Sequence, residues 1–391
     1  MKSSKLEEKR GISLIALVIT IIVMIILAAA IILSLSNSGI IEKANKAKTD
    51  SDTANLEEYV NVLRAEYGLM SDVEKEDKTF VQFANSKLEE KGYERKLAEN
   101  GALMNENATV AVKEGIQVGD VVNYNQFLIQ KSEAEKSYTT DGSEQSSTGM
   151  ADSTKKQTVK TNTSYVWRYI GISEEGDLLI APDVPAGTIN TEYKLTLGDK
   201  GCYLNGPRML NSVCDALYTV DKKGKAQSID IDIINKLLEY SGPKGSYKDV
   251  AGNTVETPVA KTIGEVGLIS SLGSNIQTPD GKDINTYKLD YYNIGKTSYE
   301  SNITKNEVKQ NLVFQGNEYW LASPCARADF SASYVRFDVR CVNSDGVRAS
   351  GMFSSDGTVL SRTFVIRPVV SLDPSVQLIK DTSATNTWKI Q

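Results

Sequence analysis

Five side chains in this sequence are candidates to hold a ligand. Tyr287, Tyr291 and Tyr292 crowd the stretch INTYKLDYYNIG. Exposed tyrosines offer sugars or proteins contact area at low entropic cost. Alternation in the same stretch predicts that about half of them face a core instead. Arg367, inside the apolar run FVIRPVVSL, carries the fork that grips a carboxylate; the competing reading is a buried arginine donating to backbone carbonyls. Trp320, in EYWLAS, suits a core as well as a ligand site. The chain has no histidine, which removes the commonest general base and excludes Ser-His-Asp and Cys-His chemistry. With no phosphate-binding glycine loop either, the expectation is a non-enzyme with no catalytic residues, no metal site and no cofactor.

The cysteines are Cys202, Cys214, Cys325 and Cys341, and none makes a CxxC pair. In an exported protein an even number suggests disulfides, with three pairings open and four buried thiols as the competing state. If bonds form, Cys202–Cys214 and Cys325–Cys341 are favoured, because each closes a short loop. Asp230 and Asp232 lack the remaining oxygens of a calcium loop and read as the start of a helix capped by Ser228. At 391 residues with a net charge of −6, the chain can bury a sizeable core. The acidic balance argues against nucleic acid as a partner and against broad adsorption to an acidic polymer.

The elements that must position these residues follow from pattern. The last hundred residues are β-rich, with EYWLAS, ASYVRFDVRCV, VRASGMFSS and FVIRPVVSL set apart by turns that include Asp345-Gly346 and Asp356-Gly357. The stretch YVWRYIGISEEGDLLIAP reads as a β-hairpin, and TVAVKEGIQVGDVVNY, from Thr109, as strand-like. Residues 132–163 between them are almost wholly polar and are expected to form a mobile insertion loop inside one sheet, since 109–131 is too short to fold alone. Residues 202–240 read as helical, as do 78–99 around Phe80, Phe83, Leu88 and Leu97. From Ile40 to Tyr67 apolar residues recur at helical spacing opposite a charged face.

At the N-terminus, Ile12 to Leu33 carries no charge, and only Ser13 and Thr20 are polar. As a helix this run spans about 33 Å, enough for a hydrocarbon core of roughly 30 Å. Lys2, Lys5, Lys9 and Arg10 precede it, so the N-terminus is expected to stay cytoplasmic and the rest to be exported. A plain uncleaved anchor fits this pattern. The stretch KRGISLIALVITIIVMIILA also resembles the N-terminus of type IV pilins and pseudopilins, and SGIIEKANKAK resembles pilin-like proteins of Gram-positive bacteria. The resemblance implies cleavage by a prepilin peptidase between Gly11 and Ile12, with the apolar helix retained. Pilins usually carry Glu at the fifth mature position, where this chain has Ala16.

A second resemblance covers most of residues 109–376. YVWRYIGI, LNGPRMLNSVCDALY, YWLASPC and VIRPVVSL resemble an uncharacterised domain of exported Gram-positive proteins, with Trp-Leu-x-Ser-Pro followed by Arg-Pro-Val as its hallmark. The closing pattern is distantly similar to C-type-lectin-like folds. Asp338, Asp345 and Asp356 are read as lying in or beside strand turns, where such folds can bind calcium, but the Glu-Pro-Asn type of signature is missing.

The expected fold is α+β: a long N-terminal transmembrane and amphipathic helix, then a mixed globular head with a β-rich, C-type-lectin-like C-terminal part. The expected boundaries are a leader at 1–11, the pilin-like helix at 12–67, a helical connector at 68–108 and the head at 109–391. The resemblances imply a surface-displayed structural or adhesive protein, a minor or tip subunit of a type IV pilus or pseudopilus. The alternative is a monomeric surface binding protein that uses the helix only as an anchor. The implied partners are the membrane, the prepilin peptidase, other pilin subunits and a carbohydrate or protein ligand.

Overall fold

The computed structural model describes residues 40–75, 78–132, 135–139, 156–184, 189–198, 200–249, 251–267, 272, 275–295, 302–328 and 334–391. The leader, the Gly11–Ile12 position and the charge-free run lie outside these residues. Among the described residues no helix is long and apolar enough to cross a membrane. The chain divides into two units, Met1–Lys91 and Gly92–Gln391, so the boundary falls inside the stretch expected as one connector.

The first unit holds α1 (Ile40–Leu69), α2 (Asp72–Lys75) and α3 (Phe80–Glu90). A capping box starts α3: the Gln82 amide donates to the Thr79 side chain while the Thr79 amide donates to the Gln82 side chain. Tyr67, in the last turns of α1, meets the rings of Phe80 and Phe83 at 5.8 and 5.6 Å, and its hydroxyl donates to the Lys78 carbonyl. Leu97, expected on α3, instead makes an isolated bridge with Leu103 in the second unit.

The second unit opens with α4 (Glu106–Lys113), where the sequence reads as strand. Asn105 caps it by accepting from the Ala108 amide at 2.6 Å. Ala108 and Ala111 form its buried stripe, while Val110 and Val112 face outward. The cap and the small-residue stripe thus override the β-branched text. Strand begins only at β1 (Val121–Val122), followed by α5 (Asn125–Leu128).

The ends of the polar insertion are ordered. β2 (Glu135–Thr139) pairs antiparallel with β3 (Lys156–Lys160), and residues 140–155 lie outside the described ones. The Gln157 side chain donates to the Thr196 carbonyl and accepts from its amide, which ties the ribbon to the head. The expected hairpin is present as β4 (Trp167–Ile172) and β5 (Leu178–Pro182), with a bulge between Tyr169 and Gly171. Then come β6 (Lys194–Gly198), α6 (Cys202–Tyr218), β7 (Gly224–Ser228) and α7 (Ile231–Leu237). Asp230, not Ser228, caps α7: its side chain accepts from the Ile233 amide, and Ser228 belongs to β7. Shorter pieces follow as β8 (Gly245–Lys248), β9 (Thr254–Thr257), β10 (Lys261–Thr262), α8 (Ile263–Val266), β11 (Lys288–Leu289), β12 (Ile294–Gly295) and α9 (Glu307–Phe314). The last part holds β13 (Tyr319–Ala328), β14 (Val335–Asn343), β15 (Gly346–Ser354), β16 (Ser361–Val365), β17 (Pro368–Leu372), β18 (Leu378–Lys380) and β19 (Thr387–Ile390).

The fold is mixed α+β, built on two large sheets. One has the order β18-β19-β1-β4-β5-β17-β7, the other β12-β15-β14-β13-β16-β6. Helix α6 packs against β7 and β17 of the first and against β13 and β14 of the second. Its inward face, including Met209, Leu210, Val213 and Leu217, joins Trp167, Trp320 and Trp388 in one core. As expected, β1 lies in the same sheet as the hairpin, pairing with β4 at Val121 and Arg168.

All four cysteines are free and buried, so the favoured pairings are not formed. Cys202 and Cys214 lie on one helix, about 18 Å apart by its rise, far beyond disulfide reach. Cys325 faces Asp338 and Cys341 faces Trp320 across the β13–β14 ladder, so the two are out of register. Burial pushes the Cys341 thiol up to about 12.

Candidate functional site

Among Trp320, Ser323, Pro324 and Arg367, it is Arg367 that joins the two sheets. Trp320 is fully buried and its indole donates to the Leu195 carbonyl of β6 at 2.8 Å. The Ser323 hydroxyl accepts from the Ile231 amide at the start of α7, and Pro324 closes the bulge in β13. Arg367 sits where the chain leaves β16, in one sheet, for β17, in the other. It is wholly buried: Nε donates to the Pro182 carbonyl at 3.0 Å, Nη1 donates to the Tyr319 hydroxyl at 2.8 Å, and the guanidinium lies over the Tyr319 ring at 4.8 Å. Trp320 and Arg367, candidate ligand residues by sequence, are therefore core residues.

The tyrosines divide. Tyr287 is buried against Phe337 at 4.9 Å, and its hydroxyl donates to Asp280. Burial and that carboxylate push the phenol up to about 12. Tyr292 is buried, stacks on Tyr240 at 5.4 Å and accepts from the Asn235 amide at 2.9 Å. Only Tyr291 reaches a cleft. Its ring lies 5.2 Å from the Arg327 guanidinium, and its carbonyl accepts from the Ser246 hydroxyl.

That cleft, about 230 Å³, is lined by Tyr247 and Lys248 of β8, Tyr291, Arg327 of β13, Tyr334, and Arg336 of β14. Arg327 and Arg336 are directly opposed in the β13–β14 ladder. Between them lies Asp338, which is fully buried. Its Oδ2 is 3.3 Å from Arg327 Nε and its Oδ1 is 3.6 Å from Arg336 Nε. Both Oδ atoms and both Nε atoms are buried and have no hydrogen bond among the described residues, so these are ion-pair contacts. Burial pushes Asp338 above the ordinary carboxylate range, against the lowering pull of Arg336 and then Arg327. Asp338 thus stands in mid-strand, and the expectation that it lies beside a turn is corrected; Asp345 and Asp356 do lie at turns.

Backbone shape makes room for this cluster. A Cβ on Gly351, opposite Asp338 in β15, would collide with the end of the Arg336 side chain. One residue pair along β14, Arg340 is fully buried; it donates to the Tyr292 carbonyl at 3.0 Å and to the Asp290 carbonyl, and lies over the Tyr292 ring. This holds the 290–292 segment in place and so fixes Tyr291. A second cleft, about 370 Å³, lies on the Asn293 and Arg348 side of the Tyr291–Arg327 stack.

In two other clefts among the described residues the cations are taken up by partners. One beside α9 contains Arg168, which is bound to Asp183 at 2.6 Å and to the Gly119 carbonyl. Another contains Lys236, donating to the Ile172 carbonyl, and Lys309, paired with Glu239. Among the described residues the Tyr291 cleft instead has Arg327, Arg336 and Lys248 against one carboxylate, that of Asp338.

Sequence reasoning reached Tyr291 and missed Arg327, Arg336, Lys248, Tyr247 and Tyr334. One signal was present: in VRFDVRCV the charges Arg336, Asp338 and Arg340 take every second place, which puts them on one face of a strand.

The fold and site together define a mixed α+β head with a cationic, tyrosine-walled cleft. Comparison with known proteins finds no matching family model, no matching curated protein and no matching solved structure.

Proposed function

We propose that this protein is a membrane-anchored, surface-displayed protein of the pilin-like kind, whose head does structural or adhesive work as a minor or tip subunit of a type IV pilus or pseudopilus. The observation that carries the reading is Lys9-Arg10-Gly11 set before the charge-free run from Ile12 to Leu33. The length of that run supports a single crossing with the head outside. The helix α1, directly downstream, supports an extension of the anchor on which a head is carried. In this reading the β-rich C-terminal part is C-type-lectin-like, and its work is binding rather than catalysis, in keeping with a chain that has no histidine.

One observation favours a second reading, in which the helix is only an anchor and the protein is a monomeric surface binder. Ala16 replaces the carboxylate that pairs with a neighbouring subunit's amine in pilins, so this chain has no such contact to offer.

The test is the intact mass of protein extracted from membranes. A mature chain that begins at Ile12 is expected. A chain that begins at Met1 overturns the pilin-like reading and leaves the plain anchor.

A further inference from the structure

We propose that the Tyr291 cleft binds a carboxylated sugar residue, such as a uronic acid unit of an acidic saccharide. This deepens the adhesive reading above and is tested separately from it.

Charge comes first. Lys248 is exposed, and Arg327 and Arg336 are 33% and 24% exposed at their side chains, while Asp338 has no exposure at all. The buried carboxylate lies at ion-pair distance from both guanidinium groups and offsets at most one of the three cations. The cleft is therefore an electropositive spot on a chain whose net charge is −6. The general repulsion discourages broad adsorption to polyanions, and the local surplus admits an anion at one place. A guanidinium fork matches a carboxylate bidentately, and two such forks, Arg327 and Arg336, line this cleft.

Shape and wall chemistry narrow the class. A cleft of about 230 Å³ is below the usual range for drug-sized ligands and suits one ring-sized unit. Tyr247, Tyr291 and Tyr334 offer ring faces for the C–H side of a sugar and hydroxyls for its polar edge. A bare phosphate or sulfate would use the cations and leave the rings idle. Strand addition and helix-in-groove docking of a peptide do not suit a pit with charged and phenolic walls, and an acidic peptide side chain would use the arginines and leave the rings idle. The Tyr291 ring is held by Arg327 on one side and its carbonyl by Ser246, so the platform is set before a ligand arrives.

The experiment is titration calorimetry of the full-length protein in detergent micelles with trigalacturonate, neutral galactotriose and sodium sulfate. Trigalacturonate is expected to bind, with galactotriose and sulfate each weaker by about tenfold or more. Arg327→Gln is expected to lower trigalacturonate affinity about tenfold, and Lys248→Gln about threefold with no change in melting temperature. Because Lys248 is exposed, its variant reports on binding even if Arg327→Gln perturbs folding. Absence of trigalacturonate binding, equal binding of sulfate or galactotriose, or an unchanged affinity in Lys248→Gln overturns the proposal. The assay needs neither leader cleavage nor assembly. A start at Met1 with trigalacturonate bound sinks the pilin-like reading alone, and a start at Ile12 with none bound sinks this one alone.

Discussion

Arg367 and the opposed pair Arg327 and Arg336 belong to the same head, and each was available to hold an anion. Arg367 is wholly buried; its Nε donates to the Pro182 carbonyl and its Nη1 to the Tyr319 hydroxyl, while Nη2 has no partner among the described residues. Arg327 and Arg336 flank a buried carboxylate at ion-pair distance and line a cleft. The first arrangement serves the chain's own backbone at the crossing between sheets; the second leaves positive charge facing outward. Arg367 stands in an apolar run and Arg327 and Arg336 in neighbouring strands, yet what separates architecture from recognition is where each guanidinium finds its acceptors.

The largest expected effect breaks this comparison most directly. Arg367→Ala leaves the Pro182 carbonyl unpaired and opens a cavity, and is expected to cost about 3–5 kcal/mol in urea unfolding. Arg327→Gln, which leaves the buried Asp338 with Arg336 as its one remaining ion-pair partner among the described residues, is expected to cost about 2 kcal/mol. Equal losses in the two variants would mean that Arg327 is also architectural.

A smaller effect concerns Asp338. Because burial raises its folded-state value above the ordinary 3.8, it holds its proton to higher pH folded than unfolded. Its contribution to stability is therefore present below about pH 4 and lost as pH rises through the folded value. The stability of Asp338→Asn relative to the parent protein is thus expected to rise between about pH 4 and pH 7, measured by urea unfolding across that range. A relative fall would show that the pull of the arginines exceeds the cost of burial.

The smallest change in stability is expected for Gly351→Ala. Its new methyl group meets the side-chain ends of Arg336 and Leu360, which can shift, so the cost is about 1 kcal/mol, while trigalacturonate affinity falls because the guanidinium is displaced. Unchanged affinity would remove Arg336 from the site.

Much of the head was legible from local pattern. The β4–β5 hairpin and the turn at Asp345-Gly346 announce themselves through turn chemistry between apolar runs, and α6 through its spacing. Residues 106–113 were not, because Thr109, Val110 and Val112 favour strand locally while the Asn105 cap and the Ala108–Ala111 stripe decide for helix. The cleft was less legible still. Arg327 and Arg336 are brought together by the β13–β14 register, and Lys248 by a separate hairpin, and no local spacing encodes either. Of the tyrosines, alternation predicted a split but not which ring stays outside; that is set by Arg340 gripping the carbonyls on either side of Tyr291.

The parallel pairing of β1 with β19 bears on when the head can finish folding. Val121 and Val122 lie beside Thr387 and Trp388, and the buried Trp388 indole donates to Asp120 across 268 residues of sequence. A chain made from its N-terminus has β1 and β4 ready long before β19 exists. Until residues 387–390 arrive, β1 keeps an open edge and Asp120 lacks its indole. Completion of the seven-stranded sheet is therefore a late event, and the long loop it must close makes it a slow one.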